Sequence, residues 1–113
     1  MSDQMLLVFT GTYAEKFEIF HKDNPAVYAT LCRLARQWVN EHGQRKVGIR
    51  MLWEVCRWEL LKSTKTSDFK LNDHLTSYYV RLIAAQEPDL ADCFEVRRSP
   101  ADAWIDHYLA SAS

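Results

Sequence analysis

RKVGIRMLWEVCRWELLK, residues 45–62, is the stretch on which the fold turns. Val47, Met51, Leu52, Val55 and Trp58 repeat at helical spacing, and Ile49, Trp53, Cys56 and Leu60 form a second apolar line. Two lines on one helix predict burial around most of its circumference, hence the central helix of the domain. Arg50, Glu54, Arg57 and Glu59 are the polar remainder. Arg50/Glu54 and Glu54/Arg57 stand four and three residues apart, the spacing of a solvated charge ladder on one helical edge. Arg45 and Lys46 lie just before the helix, so its flanks carry most of the local positive charge.

Working outward, each neighbouring segment announces its own start or stop. Upstream, Asn24-Pro25 opens a helix that carries Val27, Leu31, Leu34 or Ala35, and Trp38, and Gly43 supplies its stop. Before that, Thr12 and Glu15 form a capping box for a helix with Tyr13, Phe17 and Phe20 on one face, ending near Asp23. Residues 5–9 read as a short strand or an extended arm. Downstream, residues 62–73 form a polar connection in which Phe69 and Leu71 alternate with Lys70. Asn72 or Asp73 then caps a helix through about Gln86, with Leu75, Tyr78, Tyr79, Leu82 and Ile83, which Pro88 ends. Asp89 to Cys93 read as one more turn, and residues 94–97 as extended. Ser99-Pro100-Ala101-Asp102 repeats the cap-plus-proline start for a last helix with Trp104, Ile105, Tyr108 and Leu109. The expectation is a mostly α, compact four- to five-helix domain, with short strands near Lys70 and Val96. It is a single domain: arm 1–11, core 12–98 and C-terminal helix 99–110.

Composition agrees. Of 113 residues 48% are hydrophobic and 12% aromatic, enough for one core, and three glycines with three prolines disfavour a turn-rich β fold. Net charge is −1 but uneven: residues 33–65 carry +5, and residues from Ala84 onward carry −4. Such asymmetry means an anionic partner for the middle of the chain, or pairing of the two segments within the fold or across a homodimer. Internal pairing is the simpler account, because the excess is small for a dedicated nucleic-acid binder, whose domain pI usually exceeds about 9. Cys32, Cys56 and Cys93 are far apart, odd in number and set beside apolar residues. They read as small buried hydrophobes, and the expected compartment is the reducing cytoplasm. The apolar run Met5 to Phe9 is too short for a signal peptide, and no stretch approaches the roughly 18 apolar residues of a membrane span.

Motifs for chemistry are missing from the sequence. His21, His42, His74 and His107 fall on four different elements, and no HExxH or CxxC occurs, so no metal ligands are assigned. There is no GxSxG and no glycine-rich phosphate loop, because Gly11, Gly43 and Gly48 stand singly. No catalytic residue or cofactor is assigned either.

Two binding classes remain. Helices 47–60 and 73–86 resemble the second and third helices of a helix-turn-helix or winged-helix module, the second of them presenting Asn72, His74, Thr76, Ser77 and Arg81 to a DNA groove. Arg97 and Arg98 would sit on a wing. The candidate nucleic-acid contacts are Arg45, Lys46, Arg50, Lys70, Asn72, His74, Arg81, Arg97 and Arg98. Against this, the connection is about a dozen residues where the usual turn has three or four. The competing class is protein binding through Trp104 and Tyr108 on the terminal helix, given the hot-spot character of Trp and Tyr. Trp104 can equally serve only to pin that helix down.

Phe20-His21, Asn24-Pro25 and Val27-Tyr28 precede Gly48-Ile49, Met51-Leu52-Trp53-Glu54-Val55 and Arg57-Trp58-Glu59. Asp68-Phe69-Lys70-Leu71-Asn72, Tyr78-Tyr79, Arg81-Leu82-Ile83, Pro88, Leu90, Phe94-Glu95 and Arg97 follow. This pattern, over about residues 17–98, is similar to a family of small uncharacterised proteins of bacteriophages and prophages. The family typically carries Lys-Leu-Asn-Asn-Asn where this chain has Lys70-Leu71-Asn72-Asp73-His74. The resemblance brings no assigned activity. It implies a phage product acting in the host bacterial cytoplasm, on nucleic acid or on a host protein such as a defence system. The expectation drawn from all of this is a non-catalytic DNA-binding accessory protein, with host-protein modulation as the alternative.

Overall fold

The computed structural model describes residues 12–43, 46–63, 73–96 and 98–112. Among them are five α-helices and one 3-10 turn: α1 (Tyr13–Asp23), α2 (Pro25–His42), α3 (Ile49–Ser63), α4 (Asp73–Gln86), the turn Pro88–Leu90, and α5 (Ala101–Ala112). The mostly helical expectation holds, and no strand occurs among the described residues. The expected strand near Val96 is irregular chain with Glu95 and Val96 exposed, because no segment among the described residues pairs with it. The one near Lys70, and the arm at 5–9, lie outside the described residues.

Local chemistry sets the helix ends. Thr12 Oγ1 accepts the Glu15 amide at 3.2 Å, the first bond of the capping box, while the Thr12 hydroxyl donates to the Glu15 carboxylate at 3.4 Å. Asn24 does not cap α2 with its side chain. Its amide and its Nδ2 both donate to the Phe20 carbonyl, at 2.9 and 3.0 Å, closing the end of α1 instead. Pro25 starts α2 and Gly43, at φ 65°, stops it in the left-handed region that favours glycine. At α5 the cap is reciprocal: Ser99 Oγ accepts the Ala101 amide and Asp102 accepts the Ser99 amide, both at 3.0 Å.

The central helix is α4, not α3. It touches every other helix and the 3-10 turn. From Leu75 to Ile83 every residue except Ser77 is buried. On α3, burial is confined to one side, at Leu52, Trp53 and Cys56, while Met51, Val55 and Trp58 face out. The charges explain the reversal. Between Ile49 and Ser63 lie Arg50, Glu54, Arg57, Glu59 and Lys62, too many charges to withdraw from water, whereas between Leu75 and Gln86 Arg81 alone is charged.

The core is aromatic at its centre. Phe17 meets Tyr79 and Trp104 edge-on at 4.7 and 5.0 Å and stacks on Tyr78 at 5.3 Å, joining α1, α4 and α5. Val27, Leu31 and Cys56 extend the core between α2 and α3. Full burial of each large apolar side chain contributes about 1.5–3 kcal/mol.

Candidate nucleic-acid interface

The segment before α3 is clamped from two sides. Trp38 Nε1, near the end of α2, donates to the Lys46 carbonyl at 3.1 Å, and the Val47 amide donates to the Cys93 carbonyl at 2.8 Å. With the Val47 side chain buried, Lys46 is left exposed and α3 begins against the middle of α4. A groove of about 720 Å³ results, bordered by Lys46, Gly48 and Arg50 on one bank and by Thr76, Ser77 and Arg81 of α4 on the other, with Glu95 and Ser99 closing it. Three cations from two stretches thus meet around several hydroxyls, beside the first turn of α3, where the helix dipole favours negative charge.

The candidate contacts divide. Lys46, Arg50 and Arg81 are brought together here. Arg98 is exposed and its charge acts on Asp102, near the end of the groove. His74 is exposed on the first turn of α4 and stacks on Tyr13 at 3.9 Å, away from the groove lining. Arg45, Lys70, Asn72 and Arg97 lie outside the described residues.

Arg81 differs in kind from Lys46 and Arg50. It is buried, its Nε donates to Asp102 Oδ1 at 2.7 Å, and its Nη1 donates to the Ser77 carbonyl at 2.9 Å. That pairing holds the Asp102 carboxyl below its usual range and ties α4 to α5. Arg81 lends charge to the groove while bracing its wall. Thr76 is buried as well, and α1, α3 and α5 all pack on α4, so of its described candidate contacts His74 is exposed and Ser77 half-buried. The sequence pattern missed Glu95 as a groove residue, since only the chain reversal after Cys93 brings it there.

The outward helix is α3. Arg50, Glu54 and Arg57 are exposed along it, with Arg57 and Glu54 at 3.8 Å. It follows α2 across Gly43–Gly48, a shorter link than the one between α3 and α4.

Trp104 is a core residue, not a surface anchor. It is only 8% exposed, donates from Nε1 to Glu18 Oε2 at 2.9 Å, and packs on Phe17, Tyr78 and the half-buried Tyr108. Its place is set by α1, which covers it. Tyr108 stacks on Trp104 at 5.0 Å and works with it to fasten α5.

Part of the charge asymmetry of the sequence is met inside the fold. Arg36 bonds Glu87 and Asp89, at 2.5 and 2.8 Å, and Tyr28 donates to Glu87 at 3.0 Å, fixing α2 to the 3-10 turn. Asp89 is held below the usual carboxylate range by its hydrogen bond from Arg36. Arg33 pairs with Glu59 across α2 and α3.

Among the described residues no group of three metal-ligating side chains occurs, and no helix is long and apolar enough to cross a membrane. Comparison with protein-family models, curated proteins and solved structures gives no match.

Proposed function

We propose that this chain is a non-catalytic phage accessory protein that binds DNA, with α3 rather than α4 turned to the nucleic acid. The observation that carries this reading is the convergence of Lys46, Arg50 and Arg81 on one groove at the start of an outward, partly basic helix. Lys46 and Arg50 contact phosphates, Arg57 extends the contact along α3, and Arg81 acts from behind. The α2–α3 pair takes the helix-turn-helix role that the sequence reading gave to α3 and α4. The phage setting rests on the resemblance of residues 17–98 to phage and prophage proteins.

An electrophoretic shift with mixed-sequence duplex tests it. Affinity should fall steeply with salt, and Lys46→Ala and Arg50→Ala should each weaken binding and lower the salt slope by about one. Absence of retardation at low salt, or an unchanged Arg50→Ala protein, overturns the reading.

A second reading, modulation of a host protein, moves from the C-terminal helix to α3. Met51 and Val55 are 42% and 38% exposed and Trp58 is 66% exposed, all on the outward side of one helix, and Trp and Met are enriched at interface cores. It requires a discrete bacterial partner that Lys46→Ala retains and Trp58→Ala loses.

A further inference from the structure

A second groove lies on the other flank of the α5 start. Ser99 borders the basic groove, and its neighbour Pro100 borders this one, which has a volume of about 690 Å³. Its walls are α1 and α5, and its lining is mostly apolar. Tyr78 and Trp104, with rings 5.5 Å apart, lie beneath it, and Tyr13, 41% exposed, stands at its edge. The size is that of a small-molecule pocket, about 300–1,000 Å³, and the few polar groups, chiefly Glu18 and His107, fit the usual pattern of an apolar site with sparse polar anchors.

The electrostatics select the ligand. Glu18 accepts the Trp104 indole N–H on Oε2, and its Oε1 takes no hydrogen bond among the described residues. Glu18 is the carboxylate of the lining, and the two walls also carry Glu15, Asp23 and Asp106 against Lys16 and Lys22, while Asp102 is paired with Arg81. A carboxylate beside aromatic faces attracts a cation twice, by charge and by the ring quadrupole, and repels an anion.

We propose that this groove binds a small organic cation with an apolar body, an aryl- or alkylammonium, its nitrogen on the Glu18 carboxylate and its body against Tyr13, Tyr78 and Trp104. The site is separate from the basic groove and does not rest on the DNA-binding reading.

Titration with benzylammonium at pH 8, followed by tryptophan emission and by the NMR signal of the Trp104 indole N–H, tests it. The expected result is saturable binding, with benzyl alcohol and benzoate at least about tenfold weaker. Glu18→Gln removes the charge yet keeps an acceptor for Trp104, so it should fold with an unchanged melting temperature and bind benzylammonium about tenfold less tightly. Benzoate binding as well as benzylammonium, a Glu18→Gln affinity equal to wild type, or no saturable change would each overturn the proposal.

Discussion

His21 shows how one half-buried ionisable side chain writes a pH dependence into this fold. Its ring stacks on Phe17 at 5.6 Å and lies 5.7 Å from both Tyr28 and Tyr79, and its Nδ1 is buried with no hydrogen-bond partner among the described residues. Burial pushes its pKa below the ordinary 6.5, because the surroundings tolerate only the neutral ring. The unfolded chain therefore binds the proton more tightly than the fold does. The contribution of the neutral ring to stability is fully present above pH 6.5 and is lost as the pH falls through 6.5 towards the folded value. Melting temperature measured between pH 7.5 and 5 should fall, and His21→Phe, which keeps the stacking, should flatten that part of the profile. A profile as steep as wild type in the variant would place the titration elsewhere. The cysteines lie at the inert extreme: burial raises Cys32 to about 11 and Cys56 to about 12, so neither presents a thiolate at neutral pH. At this scale much was readable in advance. The Thr12 and Ser99 caps and the Gly43 stop depend on side chains within three residues of the helix end, and such contacts are written in the local sequence. Asn24 was misread because its side chain had two helix ends within reach and took the earlier one.

Among the elements, α3 and α4 exchange the roles that their apolar periodicity gave them. Two apolar lines run along α3, yet α2 and α4 cover the second together with Val47 and Leu52 of the first, and leave Met51, Val55 and Trp58 outside. The difference is measurable with two tryptophans on the same helix. Trp53 is buried to 2% exposure, so Trp53→Ala should cost about 3–5 kcal/mol in urea unfolding. Trp58→Ala should change stability by no more than about 0.5 kcal/mol, the usual range for a surface substitution. Equal losses at both positions would mean that α3 is enclosed after all. The reversal was legible to a reader who counted charges, since five charged residues on α3 cannot leave water together, whereas Arg81 stands alone along the buried stretch of α4. Periodicity records where apolar residues lie; it does not record which of them a neighbour will cover.

At the scale of the whole molecule, Arg36 of the basic middle pairs with Glu87 and Asp89 of the acidic end, and Arg81 pairs with Asp102, so part of the charge imbalance is met within the fold. Two grooves of opposite character remain on either flank of the α5 start, one bordered by Lys46, Arg50 and Arg81, the other by Glu18 and aromatic rings. They should act independently. Glu18→Gln should leave the duplex shift unchanged, and Arg50→Ala should leave benzylammonium binding unchanged; cross-effects in the same two titrations would show that the grooves communicate. The candidate site was only partly legible. Lys46 and Arg50 stood out as flanking charge, but nothing local placed Arg81 across from them or bound it to Asp102. By itself the sequence determined the helical class, the helix ends and the three buried cysteines, because propensity, capping and hydrophobicity act over a few residues. Which helix is central, that Trp104 is core and Trp58 is surface, and which charges pair across the chain were decided only by tertiary structure, because each depends on what a distant segment of chain covers.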